Sequence, residues 1–76
     1  MNAIGPVRCP GFSRSVRAVY LTVTTSWFPA RTIYQWVCTR RPMALQTFAV
    51  AMMRLARAGL IERSHRSYGE YRLAQP

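Results

Sequence analysis

Seventy-six residues leave room for one domain and no more. Half of them are apolar, enough for a compact core without metal or disulfides. A net charge of +9 comes from eleven basic residues, all arginine, set against Glu62 and Glu70 alone.

A field of that sign attracts polyanions, and nucleic acid is the commonest of them. Solubility alone would be served by mixed charges. No run approaches the ~18 consecutive apolar residues of a membrane-spanning helix, so no membrane partner is expected. Cys9 and Cys38 lie far apart with no pairing pattern, which makes a reduced, cytoplasmic setting the expectation. Catalysis is not expected either: there is no aspartate to orient a base, and both glutamates lie far from either cysteine. Cys9, Cys38 and His65 lack zinc-type spacing, and no glycine-rich phosphate loop is present, so no cofactor is expected.

Residues 1–12 contain Gly5, Pro6, Pro10 and Gly11, which break any regular element and predict a loosely ordered arm carrying Arg8. The folded domain is expected over 13–76. Ser13 or Ser15 is placed to cap a first helix, because Val16, Val19, Tyr20 and Val23 follow i, i+3, i+4, i+7. The same β-branched stretch also alternates, so a strand is the competing reading. Trp27 and Phe28 close that segment. Pro29 suits the first turn of a second helix running to about Cys38, with Ile33, Trp36 and Val37 as its apolar face. Pro42 discourages helix at Arg41.

The third helix is the strongest prediction. Leu45, Phe48, Met52, Leu55 and Ala56 recur at helical spacing, the helix runs to Ala58, and Gly59 stands where a left-handed stop belongs. Leu60–Arg63 reads as a short strand, Ser64–Gly69 as a turn and Glu70–Leu73 as the returning strand. The predicted class is therefore α+β, mainly α: three helices followed by a two-stranded hairpin.

The stretch T-F-A-V-A-M-M-R-L-A-R-A-G-L-I-E-R over 47–63, with S-Y-G-E-Y-R-L over 67–73, resembles the recognition helix and wing of winged helix-turn-helix regulators. It is similar to the MarR-, PadR- and ArsR-like repressors, and in total size to the small pilus-operon regulators of the FaeA/PapI type. Phe48, Met52 and Leu55 stand eleven, seven and four positions before Gly59, as apolar residues do in that pattern. The separation of Val37 from Phe48 is longer than in many bacterial members.

The resemblance implies sequence-specific binding of double-stranded DNA by a small transcriptional or replication regulator of phage, plasmid or bacterial type, cytoplasmic and nucleoid-associated. In such domains the third helix enters the major groove and presents the face opposite its core seam. That face would carry Gln46, Thr47, Ala49, Val50, Met53, Arg54 and Arg57. Gln46 could read an adenine, Thr47 or Val50 could meet a thymine methyl, and Arg54 or Arg57 a guanine or a phosphate. Arg63, His65 and Arg66 would form a basic wing tip beside phosphates or a flanking minor groove. Arg31, Arg40 and Arg41 would lie near the backbone before the third helix. The apolar Ala49, Val50 and Met53 sit awkwardly on a base-reading surface, and they open the alternative of an adaptor or inhibitor that binds a host protein; structured-RNA binding is a third reading. A homodimer is compatible with either.

Overall fold

In a computed structural model, residues 12–66 and 69–74 are described. The element order is α1 (Arg14–Thr22), β1 (Phe28–Pro29), α2 (Ala30–Arg40), α3 (Leu45–Arg57), β2 (Ile61–Arg63) and β3 (Glu70–Leu73). The expected arm falls on residues outside those described, except Phe12, which packs against the core.

The helix reading of the first segment holds. Ser13, in an extended conformation, caps α1 by accepting a hydrogen bond from the Val16 amide at 3.3 Å. Three β-branched residues in nine give poor helix propensity, but burial of Val16, Val19 and, at the C-cap, Val23 overrides it. The Thr22 hydroxyl donates to the Ala18 carbonyl one turn back, which satisfies it within the helix.

The second helix departs from expectation at both ends and on one face. Pro29 is its N-cap and not part of its first turn, and the helix continues two residues past Cys38 to Arg40. That extension accounts for the long separation of Val37 from Phe48, since only residues 41–44 join α2 to α3. Ile33 and Val37 are buried as expected, whereas Trp36 is 37% exposed. Its ring leans edge-on against Phe28, at a centroid distance of 4.8 Å. Tyr34 takes the inward role, with its ring 5.0 Å from that of Phe48.

In α3 the buried stripe is Phe48, Ala51, Met52 and Leu55. Leu45 and Ala56, assigned to the core by spacing, are exposed: they stand on the edge of the stripe where no neighbouring helix covers them. The helix stops at Arg57. Gly59, at φ 77°, takes the left-handed conformation, and two bonds close the end, from the Leu60 amide to the Leu55 carbonyl and from the Gly59 amide to the Ala56 carbonyl.

The hairpin is part of a three-stranded antiparallel sheet of order β1-β3-β2, not an isolated pair. Ile61 stands opposite Leu73 and Arg63 opposite Tyr71, while Phe28 stands opposite Tyr71 on the other edge. Two residues of strand are too short to announce themselves by alternation, and Pro29 is tolerated because β1 is an edge. The Leu73 amide donates to the Thr24 carbonyl, and Ala30 donates to Gly69, which ties the hairpin to both earlier helices. Ile61 completes a core that runs continuously through all three helices.

Two stability measurements follow. Leu55→Ala leaves a cavity at a fully buried site and is expected to cost about 2–5 kcal/mol in urea unfolding. Gly59→Ala meets nothing within 4 Å, so its expected penalty of about 1 kcal/mol is backbone strain alone.

Candidate nucleic-acid interface

With its stripe buried, α3 turns the opposite ridge outward: Gln46, Val50, Met53 and Arg57 at i, i+4, i+7 and i+11, all exposed. Thr47 and Arg54 flank this ridge on the side of α1. There Ser13 and Ser15 at the start of α1 join Gln46, Thr47, Val50 and Arg54 around an open cleft of about 630 Å³. The two serines were not foreseen, because only the tertiary docking of α1 on α3 brings them to this face.

On the other flank an apolar groove of about 480 Å³ runs between α3 and the sheet. Leu45, Ala49, Met53 and Ala56 line it along the helix, Tyr71 lines it from β3, and Arg57 and Arg63 are its charged lining residues.

Neither flank contains an acidic residue. Glu62 and Glu70, the only acids of the chain, are both on the hairpin. The Glu62 carboxylate accepts from the Arg72 Nε–H at 3.1 Å across the strand pair. Arg72 also lies over the Trp27 ring at 4.3 Å, which commits this arginine to holding the sheet edge. The remaining arginines of the described residues outnumber the one remaining acid, so positive charge dominates.

The expected site residues divide into groups. Gln46, Thr47, Val50, Arg54 and Arg57 share α3's exposed surface, and Arg63 meets Arg57 at the apolar groove. His65 and Arg66 are exposed in the turn of the hairpin, where the Ser64 hydroxyl accepts from the Arg66 amide. Arg31 is exposed in the first turn of α2, one residue after Ala30 in the groove wall. Arg40 lies elsewhere: with Leu21, Thr22 and Trp36 it lines a cleft between the C-terminal ends of α1 and α2 that contains no residue of α3. Arg41 is the exposed C-cap of α2.

Neither α2 nor α3 has a side-chain cap or an acid in its first turn, although the first amide of α2, that of Ala30, is bonded to the Gly69 carbonyl.

The turn before α3 is held by Tyr34, whose hydroxyl donates to the Met43 carbonyl at 2.8 Å, with the Cys38 thiol against the same oxygen. Hydrogen bonding with Cys38, then burial, raises the Tyr34 phenol above its usual value of 10.0. A raised folded-state value means stability that is complete below the ordinary phenol range and lost as pH climbs through the raised one.

No family model, curated protein or solved structure matches the chain.

The anchored turn yields its own expectation. In an alkaline titration followed by tyrosinate absorbance, Tyr34→Phe should remove a component that lies above the ordinary phenol value. An unchanged curve would show that the phenol is not held as described.

Proposed function

We propose that the chain is a winged helix-turn-helix module that binds double-stranded DNA, with α3 in the major groove and the hairpin as its wing. The observation that carries this reading is the α3 surface itself: Gln46, Thr47, Arg54 and Arg57 stand exposed on one helix that has no acid on it. A major groove about 12 Å wide admits such a helix. The resemblance of residues 47–63 and 67–73 to the MarR-, PadR- and ArsR-like pattern supports the same docking.

Arg54 and Arg57 would grip phosphates, Gln46 would read an adenine edge, and Val50 would meet a thymine methyl. Arg63, His65 and Arg66 would reach the flanking backbone or minor groove. Arg31 would help from the exposed first turn of α2. Arg40 contributes least in this docking, because its cleft is on another face. The polar groups on α3 are few, so backbone grip dominates and base reading is the smaller share. The biological role in this reading is occupation of a site near a promoter or origin, as a small cytoplasmic regulator.

The test is the salt dependence of duplex binding. Each phosphate contact contributes about 0.9 to the slope of log K against log salt. The double variant Arg54→Ala, Arg66→Ala is expected to bind duplex more weakly and to flatten that slope by roughly two. If both affinity and slope stay as in the parent, the duplex reading is wrong.

A further inference from the structure

We propose that the groove between α3 and the sheet is a docking site for an acidic amphipathic helix of a protein partner, and that its occupation excludes DNA from α3. The walls of this groove are apolar over most of their length. Leu45 is 64% exposed and Met53 51% exposed, with Ala49 between them and Ala56 one turn further on. Surfaces of this kind on a small domain mark contact sites.

Nucleic acid offers little to such walls beyond thymine methyls, whereas leucine-sized side chains fill a groove of about 480 Å³. From Leu45 to Ala56 the groove follows eleven helical steps, about 17 Å, which suits some three turns of a partner helix. Met53 adds an adaptable wall able to repack around a guest.

Charge decides among the possible occupants. Arg57 lines the groove, so carboxylates on the guest would meet its guanidinium there. A second copy of this chain would bring another +9 to a surface already strongly positive, and its two glutamates both sit on the hairpin. An acidic guest gains from the same field that would repel a copy. Arg57 belongs both to this groove and to the proposed duplex surface, so the two ligands cannot share it. The exclusion rests on the duplex reading; the docking does not.

The test uses the full chain and a labelled synthetic helix with leucines on one face and glutamates on the other. Two controls accompany it, one with serine in place of leucine and one with lysine in place of glutamate. Binding is followed by fluorescence anisotropy for the parent and for Leu45→Gln, Ala56→Gln, which alters two exposed groove positions without touching the core. The leucine–glutamate helix is expected to bind the parent, to bind the variant about tenfold more weakly, and to displace labelled duplex. Both control peptides should bind the parent at least about tenfold more weakly than the leucine–glutamate helix.

Absence of binding, equal binding of either control, or indifference to the variant overturns the docking. A variant that loses duplex affinity as much as peptide affinity assigns the groove to nucleic acid and overturns it too. A duplex that stays bound beside the peptide overturns the exclusion. A chain that takes the peptide through the groove but binds no duplex supports the docking and refutes the duplex reading alone.

Discussion

Burial of Phe48, Ala51, Met52 and Leu55, packed on α1 and in one core with its valines and with Ile33 and Val37, fixes the rotation of α3 about its axis. What the molecule can present to a partner follows from that rotation. Thirteen residues supply both a buried stripe of the core and the exposed ridge opposite it. The closing bonds at Gly59 and the pairing of Ile61 with Leu73 then set where the hairpin leaves the helix and hence where its arginines stand. The buried stripe is thus a positioning device as well as a source of stability.

Much of this architecture could be read from residue order. Periodicity located α3 and its glycine stop, and the strand Glu70–Leu73 was found at its observed bounds. The capping serine and valine spacing of α1 favoured helix over strand, and tertiary burial settled that ambiguity. What escaped was short or tertiary. The two-residue β1 has no pattern of its own, and it exists because β3 offers it an edge. Trp36 sits at core spacing but leans on Phe28 at the surface. Leu45 obeys helical spacing yet stays 64% exposed in the first turn of α3, at the margin of the buried stripe. Spacing tells which residues share a face, but not how far the covering elements extend.

The candidate interface was legible to a similar degree. The outward residues of α3 followed directly from its buried stripe. The serines of α1 beside Gln46 and Thr47, and the separation of Arg40 from that surface, depend on how the first two helices are docked. Arg72 shows why charge alone is a poor guide to function: paired with Glu62 and stacked on Trp27, it works for the sheet. The exposed Leu45 and Met53 matter in the same way, because they divide α3 into a polar flank toward α1 and an apolar flank toward the sheet.

The central claim is that the α3 surface and the hairpin together meet the duplex. Backbone amide chemical-shift mapping during titration with a duplex of mixed sequence tests it most directly. The account predicts that the largest changes fall on Gln46, Thr47, Val50, Arg54 and Arg57, with a second group at Arg63, His65 and Arg66. Changes centred instead on Leu21, Trp36 and Arg40, or no changes at all, would contradict it.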